Sequence, residues 1–251
     1  MTGTIQLQQL HKTFGSTVII DEVNLTVPAG SFTCVLGKSG EGKSVLLKMI
    51  IGLIAPTSGT ISIDNCVLES IPTAKRQELL RTCGYVFQFA ALLDSLTIEE
   101  NICITLPEAT APDIRRNVAI NALQQVGLDE ILLPKFPSDL SGGMKKRVGI
   151  ARTLVQKPRI ILYDEPTTGL DPLSTRQIHE VMKTVQLSGV TTLVVSHDTG
   201  ILNYADYVAV LEDGCVSYFG PTQDALESEH HFLKAFMHAA RPFGSHQSLL
   251  N

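Results

Sequence analysis

The run Gly37-Lys38-Ser39-Gly40-Glu41-Gly42-Lys43-Ser44 constrains this chain more tightly than any other feature. Glycines in that spacing let successive backbone N–H groups converge on one point, where a phosphate group can sit. The lysine that follows brings a cation, and the serine hydroxyl can ligate a divalent metal ion. Such a loop works between a β-strand and the N-terminus of an α-helix, whose dipole adds positive potential. The flanks comply: residues 31–36 form a short β-rich run, and a helical stretch follows Lys43. A nucleoside triphosphate is the expected ligand, with Lys43 on its β- and γ-phosphates and Ser44 on Mg2+.

A second feature narrows the chemistry. Ile160-Ile161-Leu162-Tyr163-Asp164-Glu165 is an apolar run that ends in two carboxylates. A buried strand of this kind delivers Asp164 to the metal, and leaves Glu165 to orient or deprotonate an attacking water. Around these motifs the pattern alternates strand and helix. Helices are expected at 142–156 and 175–188, strands at 159–163 and 191–196, and a hairpin near residues 213–214. That alternation implies a mostly parallel sheet covered on both faces. Residues 5–7 and 18–27 alternate apolar and polar side chains, as an N-terminal antiparallel β subdomain would, and 61–63 and 84–87 read as further strands. From about residue 90 to 138 strand signals vanish and helical ones appear, for example over 111–126. The expected class is therefore α/β, with an inserted helical subdomain at about 90–150.

Composition excludes several alternatives. With 44% hydrophobic and 18% charged residues, the 251-residue chain can bury a large core. A net charge of −5 gives no general basic field for nucleic acid. Residues 1–3 lack the pattern of a secretion leader, and no apolar stretch is long enough for a membrane helix. Membrane contact is thus expected only through a partner. Cys34, Cys66, Cys83, Cys103 and Cys215 are odd in number and scattered, as in a protein of a reducing, cytoplasmic compartment.

Leu140-Ser141-Gly142-Gly143-Met144 lies between the two motifs, and with it the chain resembles the ABC ATPases. Their signature is Leu-Ser-Gly-Gly-Gln, and Met144 replaces the glutamine. Other elements of that family follow in order over roughly residues 5–225. The resemblance implies that Gln88 contacts Mg2+ and the water, and that His197 contacts the γ-phosphate. Phe14 would stack on adenine, and Asp171 would cross a dimer interface. It also implies a head-to-tail homodimer with two ATP molecules, each held between one P-loop and the partner's Ser141, Gly142 and Gly143. Residues 1–228 would be the ATP-binding domain, and 229–251 an extension that packs on its own chain or, as the preferred reading, contacts the dimer mate or another partner. In that extension Phe232, Leu233, Phe236 and Met237 form an apolar helical stripe.

Residues 87–97, with Glu100-Asn101, Val45 and Met144, are further similar to the Mla-type (Ttg2A-like) cassettes. That likeness implies phospholipid traffic between membranes, with an integral permease and an MCE-domain lipid-binding protein, from the cytoplasmic face of the inner membrane. An importer of amino acids or another small solute is the alternative within transport. A non-transport ABC ATPase, in DNA repair for example, is the alternative of another class.

Overall fold

The computed structural model describes residues 3–239. Strands β1 (Ile5–Phe14) and β2 (Thr17–Val27) form a long hairpin. β1 buries Ile5 and Leu7, then Leu10, so its inward parity changes once. A register irregularity between Leu7 and Leu10 makes the change, with Gln9 at φ 46, and Glu22 at φ 48 falls in the next irregularity, between Leu10 and Lys12. With β4 (Ser58–Ile63) and β5 (Cys66–Val67) this hairpin makes a four-stranded antiparallel sheet in the order β2-β1-β4-β5.

The second sheet carries the chemistry. β3 (Phe32–Leu36), β6 (Cys83–Val86), β7 (Ile160–Asp164), β8 (Thr191–Ser196), β9 (Tyr207–Glu212) and β10 (Cys215–Pro221) lie in the order β10-β9-β3-β8-β7-β6. All neighbours are parallel except the terminal β9–β10 hairpin. Every residue of β3, β7 and β8 is buried, as strands covered on both faces require. Val35, Leu162, Leu193 and Val195 face a core shared with the antiparallel sheet and with α1 (Lys43–Ile50). Phe32, Cys34, Ile161, Tyr163 and Val194 face the opposite core. There they meet α5 (Gly142–Leu154), α6 (Pro172–Leu187) and the helical lobe.

That lobe comprises α3 (Ile98–Cys103), α4 (Pro112–Gln125) and α5, as the loss of strand signals implied. A capping box starts α3, with Thr97 and Glu100 each bonding the other's backbone N–H. The preceding segment is tied down from both sides. Arg152 of α5 donates to the carbonyls of Ala90 and Ala91 at 2.9 and 2.8 Å. The buried Asn101 amide of α3 accepts from Leu93 N–H and donates to Leu93, Leu96 and Thr97 carbonyls.

Several boundaries differ from the sequence reading. β1 runs to Phe14 because its outer half pairs with β2 although its alternation has faded. The amphipathic pattern of α6 begins late, but Asp171 caps it and Pro172 opens it. α2 (Thr73–Leu80) buries no residue, so no apolar stripe announced it. All five cysteines are free thiols.

Beyond β10 lie α7 (Thr222–Glu227) and α8 (His231–Ala239). Phe232 and Leu233 of α8 are buried in the same core as Phe32 and Tyr163, and the Phe232 and Phe236 rings stack 5.5 Å apart. The first part of the C-terminal extension thus packs on its own chain. The side chain of Met237 and residues 240–251 lie outside the described residues. Among the described residues no helix is long and apolar enough to cross a membrane. Leu233→Ala, at a site only 1% exposed, is expected to cost about 2–5 kcal/mol by urea unfolding. An unchanged midpoint would show that α8 is not part of the cooperative core.

Candidate functional site

β3 ends at Leu36 and α1 begins at Lys43, so residues 37–42 cross from strand to helix in six steps. Two of the glycines are required by packing. A Cβ on Gly37 would lie 2.5 Å from the Leu211 carbonyl oxygen. On Gly42, at φ 91, a Cβ would lie 2.9 Å from the Ile19 carbonyl oxygen. The Glu41 carboxylate turns to the β9–β10 turn and accepts the Asp213 N–H at 2.7 Å, so this side chain braces the loop. Gly42 caps α1 with no side chain, which leaves the first-turn N–H groups free for an anion, and no acidic residue occupies that turn.

Lys43 is only 5% exposed. Its Nζ donates to the carbonyls of Gly37 and Lys38 at 2.7 and 2.8 Å and stands 3.6 Å from Glu165 Oε1. A cation so buried needs those partners. Ser44 Oγ donates to Asp164 Oδ1 at 2.6 Å, although β8 separates the strands that lead to them. The other carboxylate oxygen, Oδ2, accepts the Tyr85 hydroxyl at 2.8 Å. Burial first, and then the bond to Asp164, push the Tyr85 phenol well above its ordinary value, so it remains a donor.

Glu165 follows at φ 48, a left-handed conformation that turns its side chain away from the line of β7. Its N–H bonds the Val195 carbonyl at 3.1 Å. The carboxylate stands 2.6 Å from His197 Nδ1 through Oε2, which also accepts from Thr168 Oγ1 at 3.2 Å. Lys146 of α5 donates to the Thr168 carbonyl at 2.8 Å, and burial holds its ammonium below the usual lysine value. Lysine, carboxylate and imidazole therefore share one small volume.

A cavity of about 660 Å³ opens above these groups. Of the residues named from sequence it gathers Phe14, Ser39, Gly40, Gly42, Lys43, Ser44, Gln88, Glu165 and His197. Ile19, Val45 and Thr168 complete its wall. The Phe14 ring is half exposed, with Lys12 Nζ 4.8 Å from its centroid. Hard oxygen donors from Ser44 and Asp164, an uncapped helix N-terminus and a buried lysine fit a nucleoside triphosphate with Mg2+.

Gly37, Lys38, Glu41 and Asp164 adjoin the cavity without lining it, and four further named residues stand apart. Ser141 caps α5, its Oγ accepting Met144 N–H at 3.3 Å, and both Ser141 and Gly142 face solvent. Gly143 is buried, and a Cβ there would meet Ser174 Cβ at 2.9 Å. Asp171 caps α6 through Ser174, and those two hydrogen bonds hold its carboxyl below the usual carboxylate range. Tyr85, Thr168 and Lys146 escaped the sequence reading. Lys146 sits two residues beyond the signature, a legible position, whereas Tyr85 becomes significant only through the β6–β7 register.

The family model described as "ABC transporter" matches residues 20–168. Among curated proteins, the probable ribonucleotide transport ATP-binding protein Mkl of Mycobacterium leprae is 37% identical over 96% of this chain and 70% of its own length. The methionine import ATP-binding protein MetN of Mesorhizobium japonicum is 35% identical over 95% of this chain and 66% of its own. Among solved structures, the ATP-binding cassette MJ0796, dimeric in a post-hydrolysis state with ADP and Pi, superposes with a TM-score of 0.77. Its identity is 32%, over 87% of this chain and 98% of that one.

Gly42→Ala should weaken binding of a fluorescent ATP analogue by about ten- to hundred-fold, the equivalent of roughly 1–3 kcal/mol of backbone strain, while the circular dichroism spectrum stays native. Affinity equal to that of the unmodified chain would contradict the packing argument.

Proposed function

The chain belongs to the ABC transporter family as an ATPase, and from that premise we propose that it drives phospholipid transport between membranes with an integral permease and an MCE-domain protein. The observation that carries the hydrolytic half of this reading is the meeting of Lys43, Glu165 and His197 at the mouth of the phosphate cradle. In the proposed reaction the Phe14 face receives the adenine. The N–H groups of residues 37–44 and the Lys43 ammonium hold the β- and γ-phosphates. Ser44, Asp164 and Gln88 would hold Mg2+, which when bound neutralises phosphate charge and orients the transferring group. Glu165 orients the attacking water and accepts its proton, and His197 steadies both the carboxylate and the γ-phosphate. Rate then comes mainly from position and from charge already in place.

Ser141, Gly142 and Asp171 are exposed and lie outside the cavity of their own chain. We assign them to a second copy, whose γ-phosphate the α5 N-terminus would meet across a head-to-tail dimer. The dimeric state of the MJ0796 cassette supports this arrangement. The dimer would work at the cytoplasmic face of the inner membrane.

The lipid assignment rests on the segment from Phe87 to Thr97, with Glu100-Asn101, which resembles the Mla-type cassettes. A small-solute importer is the second reading, and the 35% identity to a protein named for methionine import favours it. Affinity isolation of the tagged chain from detergent-solubilised membranes separates the two. A permease with an MCE-domain protein and phospholipid is expected. A permease with a small-solute receptor would overturn the lipid reading and leave the ATPase standing.

Glu165→Gln is expected to retain ATP binding and to lose about 10²- to 10⁴-fold in turnover. With ATP and Mg2+ the variant should accumulate as a dimer in size-exclusion chromatography. Steady turnover near the normal rate would remove Glu165 from the proposed role.

A further inference from the structure

Asp164 lies at the C-terminal end of β7, where a carboxylate can rotate freely about its last bond unless both oxygens are held. Ser44 holds Oδ1. The pleat supplies the second hold. β6 runs parallel to β7 with Tyr85 opposite Leu162. Side chains two apart on a strand share a face, so Leu162 and Asp164 both point to the side covered by α1. Tyr85 stands on that same side and reaches diagonally past Leu162, bringing its hydroxyl to 2.8 Å from Asp164 Oδ2. A carboxylate only accepts, so the phenol is the donor.

The phenol is itself confined. Its ring lies 4.7 Å from the Phe87 ring, tilted by 53°, and part of it packs against the core beneath α1. Phe87 immediately precedes Gln88, which lines the cavity. Tyr85 therefore touches one metal-holding candidate and adjoins the loop that presents another.

We propose that Tyr85 is a positioning residue, whose hydroxyl fixes the plane of the Asp164 carboxylate so that Oδ1 stays paired with Ser44 and ready for Mg2+. The role is distinct from packing, since a phenylalanine would fill the same space. It rests on the reading of Asp164 as a metal ligand. A hydrogen bond to a charged group that is lost without other change moves a binding equilibrium by about ten-fold.

The test measures binding of a fluorescent ATP analogue to the full chain, in EDTA and across a Mg2+ titration. It is paired with direct Mn2+ binding by electron paramagnetic resonance. For Tyr85→Phe, affinity in EDTA is expected to stay within about two-fold of the unmodified chain. The Mg2+ midpoint and the Mn2+ dissociation constant are each expected to rise about ten-fold. Tyr85→Met, which also lacks the hydroxyl, should show the same shift. A midpoint within about two-fold of normal in either variant overturns the proposal. So does an equal loss of affinity in EDTA, which marks a purely structural residue. Asp164→Asn in the same assays separates the two levels of argument. If it leaves the Mg2+ midpoint unmoved, the metal reading of Asp164 fails. If it abolishes the Mg2+ response while Tyr85→Phe changes nothing, this proposal alone fails.

Discussion

The Lys43 ammonium is the charge around which the rest of the structure is arranged. It is nearly inaccessible to water, and an unpaired cation in such a place would cost several kcal/mol. Two carbonyls of its own loop and the Glu165 carboxylate compensate it. That arrangement requires β3 and β7 to end at the same level of the sheet, with β8 between them. Once they do, Ser44 meets Asp164 and His197 at the end of β8 meets Glu165. The parallel sheet is thus the device that brings residues more than a hundred positions apart in sequence into one cluster, at the carboxyl ends of its strands.

Sequence made some of this legible, and the divide has a physical basis. The phosphate loop and the acidic pair could be read directly because each is contiguous, and contiguous motifs need no knowledge of the fold. The apolar runs of β3, β7 and β8 were equally clear, since full burial on both faces keeps them mostly apolar, with Thr33, Thr191, Thr192 and Ser196 the polar exceptions beside Asp164. Phe14, Gln88 and His197 needed the family resemblance to single them out, and the fold then places all three on one cavity. Tyr85 stayed hidden because its partner is set by strand register, which a single sequence does not encode. α2 stayed hidden because only its last two residues, Leu79 and Leu80, pack partly against the core, too few for a periodic signal.

The four residues that stand outside the cavity carry a different lesson. Ser141 and Asp171 each perform a complete local task, capping α5 and α6. Their chemistry is satisfied within one chain, yet Ser141 and Gly142 remain exposed at a helix N-terminus with spare N–H groups. In the proposed head-to-tail dimer a site of this kind would be half a binding surface, its other half the phosphate held by another copy. Sensitivity to ATP would then be a property of the pair. The helical lobe that carries Ser141 also carries Arg152 and Asn101, which grip the segment before α3. The signature helix and that segment are therefore joined by direct hydrogen bonds, with exposed Phe89 at the segment's edge.

The bracing of the phosphate loop against the β9–β10 turn has a kinetic consequence. Gly37 rests on the Leu211 carbonyl, and Glu41 holds the Asp213 N–H, so the loop takes its final shape from residues some 170 positions further along the chain. β3 likewise pairs only with β8 and β9, both distant in sequence. Contacts of such high order close late in folding, because the entropy of the long intervening loop must be overcome first. The phosphate-binding loop is therefore expected to become a receptor only once β9 and the β9–β10 turn are in place. A partly folded chain in which β9 and β10 are not yet placed would lack the support that Gly37 and Glu41 need, so affinity for ATP is expected to report the completed fold.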